Sequence, residues 1–399
     1  MVNLWFTSWA IKISGLMEVS KLLTRDFLLV FSAQFTLSCT FNCLLPTIPI
    51  YLAQQGSTEK EIGVLVGAIN VASLALRPLV GRGLVRTPEK TFMETGAVLF
   101  VLTSIGYLFA PPFWPLLMVR ILQGVGMAFF YTSSVTFVTT ITPEAHRAQS
   151  LGYFYLAFNF AFALAPSFGI FVMDSFNFTI LLLFCIGLSL GALLLTFQLP
   201  GRRVDSSQES SSGLRSFVSI QSLPTAVVSF LAHFNWGALT AFIPLYAIHQ
   251  GVGNPGFFFA AYAATLILGR AMGGRVFELY RHEKIILPCL IFNILTMMIL
   301  VLSKTLPMMI LVAFVWGAGN AFLFPSLVAY TLERVTSSRG LAMSTFNAVG
   351  DLGVGLGSII MGFVLQASSY RTMFLCLTSV AVINVFYFYS LLRTTKANA

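Results

Sequence analysis

The stretch "IPIYLAQQG" at Ile48–Gly56 returns as "IPLYAIHQG" at Ile243–Gly251, almost half the chain later. Further along, Gly63, Arg77, Gly81 and Arg82 are matched 193 residues downstream by Gly256, Arg270, Gly274 and Arg275. A third block, "QGVGMAFFYTSSV" at Gln123–Val135, aligns with "WGAGNAFLFPSLV" at Trp316–Val328 at the same offset. The chain therefore reads as two homologous halves in the same order.

The two halves are too apolar for water. Of 399 residues, 57% are hydrophobic and only 9% charged, outside the usual composition of soluble domains. An apolar run of about 20 residues crosses the hydrocarbon as a helix. Lipid leaves backbone groups to be satisfied internally, which allows helices or a closed barrel. The runs here lack the alternation of barrel strands. The expected fold is an all-α membrane protein with twelve transmembrane helices in two pseudo-symmetric six-helix bundles. The expected divisions are an N-terminal tail at 1–25, a first bundle at 26–199, a linker at 200–223, and a second bundle with a short tail at 224–399. The linker contains "GRRVDSSQESSSGLRS" at Gly201–Ser216, which is Ser-rich and has no apolar periodicity.

Charge orients the chain. With the N-terminus inside, Lys60, Lys304 and Arg371 fall outside, Arg120 falls within a span, and the remaining basic residues are cytoplasmic. Both termini and the linker are thus expected in the cytoplasm, with the protein in the cell's inner or plasma membrane. This bias, set against anionic lipid, accounts for the net charge of +9 without nucleic acid. The five cysteines fall in predicted spans with no pairing pattern. The first 16 residues are too short to span and carry no cleavage site, so no signal peptide is expected. They read either as tail or as an over-extended start, since Met17 opens a natural beginning.

The charged loop after the second span, "RPLVGRGLVRTPEK" at Arg77–Lys90, resembles the G-x-L-x-D-R-x-G-R-K signature of the major facilitator superfamily. Gly81, Arg86 and Lys90 match, while Val85 stands for the acid, Pro88 for a glycine and Glu89 for a basic residue. The second copy keeps Gly274 and Arg275 and carries Glu278 where the first has Val85. "RILQGVGMA" at Arg120–Ala128 is similar to the family's R-x-x-Q-G-x-G-A-A. "ALAPSFG" at Ala163–Gly169 resembles the antiporter element, with Pro166 and Gly169 in place. Within the superfamily the opening "KLLTRDFLLVF" and "LRPLVGR" look most like bacterial drug and sugar exporters. The resemblance implies a monomeric secondary transporter that alternates access to a central site, with Gly81, Arg82, Arg86, Pro166, Gly169, Arg270, Gly274, Arg275 and Glu278 serving gating and packing.

Several residues carry the candidate chemistry. Arg120 lies within a span, where a charge is costly unless turned to a partner or a wet cavity. It reads either as a structural cation or as a substrate or proton-site group, with Gln123 beside it. Asp351 is the one acid expected near a membrane midplane, on a polar stripe with Ser344, Asn347 and Ser358. It is the proton-site candidate, with interhelical hydrogen bonding as its alternative. The repeat sets Asn159 opposite it. The first span offers Gln34, Ser38 and Asn42 at steps of four, without a carboxylate. His233, near Trp236, reads as a second titrating group or as a neutral hydrogen-bonding residue. Arg77 and Arg270 read as capping or snorkelling cations that recur at a gate.

The four histidines are scattered, no metal-ligand spacing occurs and no P-loop is present, so neither an enzyme, a metal, a cofactor nor ATP-driven transport is expected. The expected activity is proton-coupled efflux of a small amphipathic molecule. Uptake by a proton symporter, or a non-transporting sensor on the same fold, are the alternatives. Orientation is testable with a membrane-impermeant thiol reagent. A cysteine at Ser210→Cys in the linker is expected to react only in inverted vesicles, and one at Ser57→Cys only in intact cells. The reverse pattern overturns the topology.

Overall fold

The computed structural model describes residues 24–84, 86–143, 146–201, 219–252, 254–335 and 339–397. The expectations for the N-terminal tail, for Val85 and for most of the linker lie outside these residues. Among them run twelve α-helices and no strand. The first six are α1 (Arg25–Gln54), α2 (Glu59–Gly83), α3 (Glu89–Phe109), α4 (Trp114–Ile141), α5 (Arg147–Ser175) and α6 (Phe178–Phe197). The second six are α7 (Leu223–His249), α8 (Gly256–Leu279), α9 (His282–Leu302), α10 (Leu306–Arg334), α11 (Arg339–Ala367) and α12 (Tyr370–Ala397). Eleven are long and apolar enough to cross a membrane. The twelfth, α8, has 24 residues, about 36 Å of helix, with its apolar stretch confined to Gly256–Arg270.

The repeated phrase marks the end of a helix in each half. Gly56 follows α1 with φ +80°, and Gly251 follows α7 with φ +65°. An added Cβ would meet nothing within 4 Å at either glycine, so the constraint is the left-handed backbone itself. Pro46 and Pro49 in α1 and Pro244 in α7 sit inside the preceding turns. Local chemistry fixes other starts. The Thr24 hydroxyl accepts from the Phe27 N–H at 3.2 Å, and the Glu61 carboxylate accepts from the Thr58 N–H at 2.8 Å.

Within each half, α3 and α6, and likewise α9 and α12, pack on their own bundle. Leu102, Leu194, Leu302 and Phe386 are exposed there, a surface suited to lipid chains. Between halves, α2 runs along α11, α5 along α8, and α1 meets α7. Since six helices make an even number of crossings, the start of α1, the linker and the end of α12 share one end, here the linker end; the opposite is the far end.

The α2–α11 contact is backbone against backbone. A Cβ on Gly63 would lie 2.5 Å from the Ser358 carbonyl, and one on Gly67 would lie 2.5 Å from that of Gly355. Three inter-half hydrogen bonds add to the closure toward the far end. The Lys60 N–H donates to Gln366 Oε1 (3.3 Å), Ser167 Oγ to the Gly256 carbonyl (3.2 Å) and Asn254 Nδ2 to Asp174 Oδ2 (2.9 Å). Toward the linker end the same faces separate. On α11, Gly355 and Ser358 are buried, Asp351 is half-buried, and Asn347 and Ser344 are exposed. On α2, Gly63, Gly67 and Asn70 are buried, Arg77 is half-buried and Gly81 is exposed. The halves are shut at the far end and diverge into a cleft at the linker end.

Gly67→Ala is expected to lower the stability of the purified protein by about 1–3 kcal/mol, as overpacking does. Gly191→Ala, on a face of α6 with nothing within 4 Å, is expected to stay within about 0.5 kcal/mol. Thermal unfolding in one detergent compares the two.

Candidate functional site

Two residues from opposite halves meet where the cleft narrows. Arg77 lies six residues before the end of α2, about 9 Å in from the linker end, and Asp351 twelve residues into α11, about 18 Å in. Helix direction closes the gap. Side chains lean toward the N-terminus of their own helix. That direction carries Arg77 toward the far end and Asp351 toward the linker end. Arg77 Nη1 lies 2.5 Å from Asp351 Oδ2, with the two side chains 23% and 25% exposed. The pair is shielded enough to matter and open enough to be reached by water or cargo.

Three neighbours surround the pair. Tyr131 on α4 and Tyr155 on α5 lie within electrostatic reach of Arg77. The Tyr131 hydroxyl shares a 3.3 Å hydrogen bond with Ser38, Gln34 Nε2 donates to Ser38 Oγ at 3.1 Å, and Ser134 donates to Gln34 Oε1 at 3.2 Å. The polar stripe of α1 is thereby joined to α4. His233 lies beside Gly350 on α11, with its ring 4.4 Å from that of Phe324, and within electrostatic reach of Asp351. Its Nδ1 is 2.8 Å from the Ser229 carbonyl. A carbonyl only accepts, so Nδ1 carries a proton and Nε2 is the nitrogen left to titrate.

The other candidates separate from this centre. Arg120 is 3% exposed and stacks over the Tyr107 ring at 5.6 Å, while the Tyr107 hydroxyl donates to Gln123 Oε1 at 2.5 Å. Their three-residue spacing turns both toward α3. Arg120 therefore lies inside the first bundle, turned to Tyr107. Its Nε and Nη2 are buried without a hydrogen-bond partner, and the Tyr107 side chain is its neighbour. Asn42 donates to the Ser38 carbonyl at 2.8 Å, and its own oxygen is unpaired. Asn347 is exposed in the cleft one turn from Asp351. Asn159 is half-buried on α5, the helix that packs along α8.

An aromatic cluster closes the cleft on its far side. Phe162 of α5 lies 5.5 Å from Trp236 of α7 and edge-on to Tyr262 of α8 at 5.7 Å, and Tyr262 lies 4.3 Å from Trp316 of α10. Of these only Trp236 was expected from sequence. The abundance of aromatic residues along the chain hides which rings converge.

The motif residues lie mostly at helix ends and helix contacts. Gly81, Arg82 and Arg86 lie at the exposed linker end of α2 and just beyond. Lys90 donates to the carbonyls of Phe197 (2.8 Å) and Leu199 (2.7 Å), placing a cation at the C-terminus of α6. Pro166 lies inside α5, and a Cβ on Gly169 would come 2.7 Å from the Cys43 carbonyl of α1. Gly274, Arg275 and Glu278 belong to the last turns of α8, with side chains outside the described set. Among the described residues, no three His, Cys, Asp or Glu side chains converge to hold a metal ion.

Comparison with known proteins agrees with this architecture. The Major Facilitator Superfamily model matches residues 30–302 and 226–399. The Staphylopine export protein of Staphylococcus aureus is 23% identical over 364 residues, covering 86% of this chain and 90% of its own. The Quinolone resistance protein NorA of Staphylococcus aureus is 22% identical over 377 residues, covering 90% and 95%. A solved nucleoside transporter superposes with a TM-score of 0.75 at 16% identity, over 92% of this chain and 99% of that one. The human organic anion transporter MFSD10 gives 0.68 at 16%, over 91% and 99%. At these identities the structures bear on the fold alone.

The ion pair is testable by a double-mutant cycle. Arg77→Ala and Asp351→Ala are each expected to destabilise the protein, and the double variant by less than their sum, with a coupling of about 0.5–3 kcal/mol. Strict additivity in thermal unfolding would remove the pair from the account.

Proposed function

This chain belongs to the major facilitator superfamily and is a multi-pass membrane transporter, not an enzyme, and on that premise we propose that it exports a small amphipathic molecule in exchange for protons. The observation that carries this reading is the Arg77–Asp351 pair, which joins the halves at the neck of the cleft. If the linker end faces the cytoplasm, as the distribution of basic residues implies, the cleft is open inward.

In that state the Asp351 carboxylate is paired with the Arg77 guanidinium. Cargo enters from the cytoplasm and lies between this pair and the aromatic cluster of Phe162, Trp236 and Tyr262. The halves then rock about the site. Once the cleft opens outward, a proton reaches Asp351, removes its charge and breaks its pairing with Arg77, which loosens the contact between the halves and resets the site. Return inward delivers the proton. Arg77, not Arg120, is the cation that faces Asp351, so it holds the tuning role in this cycle. His233, beside Gly350, the residue next to Asp351, offers Nε2 as a relay for the proton. The names of the relatives, an export protein and a quinolone resistance protein, support outward transport of such cargo. The protein works as a monomer in the inner or plasma membrane.

Reconstituted vesicles carry the test, with a quinolone or staphylopine as cargo. Wild-type protein is expected to accumulate cargo against an imposed proton gradient and to stop when the gradient is collapsed. Asp351→Asn is expected to lose gradient-driven accumulation while retaining its fold by circular dichroism. Full gradient coupling in that variant would end the proton-site assignment, and accumulation in the direction of the proton flow would make the protein a symporter.

A further inference from the structure

The two halves do not balance their charges alike. Arg77 and Arg270 are equivalent in the repeat, on α2 and α8. The helix facing α2 is α11, which supplies Asp351 twelve residues from its start at Arg339; the helix facing α8 is α5, which at the same distance from its start at Arg147 supplies Asn159. An amide cannot neutralise a guanidinium. No carboxylate among the described residues pairs with Arg270, and its Nε is buried without a hydrogen-bond partner.

The surroundings of Arg270 are rich in donors. A Cβ on its neighbour Gly269 would lie 2.6 Å from the Ala321 Cβ, which brings α8 against α10 at the level of Asn320. Asn320 is 3% exposed, and its Nδ2 is a second buried donor without a partner. The Tyr262 hydroxyl lies within electrostatic reach of Arg270 and within hydrogen-bonding reach of the Trp236 and Asn320 side chains. Trp236 contacts Phe162 of the other half, so this group borders the cleft. A guanidinium and an amide, each with a buried donor lacking a hydrogen-bond partner, therefore gather beside a phenol and an indole where no acid among the described residues answers them. Buried donors left without acceptors are costly, and a ligand that brings acceptors recovers that cost.

We infer that Arg270, with Asn320, Tyr262 and Trp236, forms the anion-accepting half of the cargo site, and that the cargo is an aromatic or amphipathic carboxylate. This rests on the transport reading above and narrows it from any amphipathic molecule to an organic anion. The carboxylate lies on Arg270 and Asn320, and the apolar body lies against Phe162 and Trp236. Asp351, already satisfied by Arg77, leaves the net charge of the cleft positive while cargo is absent.

Equilibrium binding to the detergent-solubilised full chain tests this without transport. The probes are 1-naphthoate, 1-naphthamide and 1-naphthylmethylammonium, which share a ring and differ in charge. Wild-type protein is expected to bind the carboxylate about tenfold or more tightly than the amide, with the cation weakest, as a charge-assisted contact implies. Arg270→Gln is expected to erase the difference between carboxylate and amide, Arg270→Lys to keep part of it, and Gly191→Ala, on the outer face of α6, to leave it in place. Equal or tighter binding of the amide or the cation, no binding of any probe, or a difference that survives Arg270→Gln would each overturn the inference. The wild-type series stands even if an Arg270 variant fails to fold. Binding indifferent to charge alongside intact proton exchange would sink this inference alone. Lost proton exchange alongside selective binding would sink only the coupling.

Discussion

A bilayer does not solvate charge, and every ionised group within it must find its own surroundings. Three arginines in this chain meet that demand in three ways. Arg77 is answered by a carboxylate from the other half, Arg120 by the face of a tyrosine in its own bundle, and Arg270 by no acid among the described residues. The first arrangement couples the halves, the second stiffens one of them, and the third leaves a vacancy of charge. The chemistry of the cleft follows from that uneven distribution.

Movement depends on a different property of the same helices. The face of α2 that carries Arg77 also carries Gly63 and Gly67, and the face of α11 that carries Asp351 also carries Gly355 and Ser358. Small residues allow the backbones to touch toward the far end, while the long side chains sit where the backbones diverge. Ion pair and pivot thus share one interface. In the proposed cycle a change in the charge of Asp351 would act on the contact about which the halves turn, which is the requirement for coupling a proton to a conformational step.

Much of the fold was legible because its causes are local. Apolar length gives helices, and Gly56 and Gly251 stop two of them through a backbone angle that the residue type itself permits. Asp351 and Arg77 were each visible as unusual residues, but not as partners, because 274 positions and the whole turn of the molecule separate them. The direction of Arg120 was also hidden. Its pattern marks it as special, yet only the packing of α4 on α3 shows that it faces Tyr107 and not the cleft. The aromatic cluster was lost in abundance: with 39 phenylalanines, composition cannot say that Phe162 is the one that crosses to Trp236 and Tyr262.

The sequence by itself determined that the chain crosses a membrane, that it does so in two related halves, and where those halves differ in charge. These are properties of single residues and of their periodicity, and solvent selects for them one segment at a time. Only the tertiary structure decided which charges meet, which end of the cleft is shut and which donors are left without acceptors. Those outcomes depend on side-chain direction along antiparallel helices from distant parts of the chain, where a shift of one residue turns a group by about 100° and sends it to another neighbour.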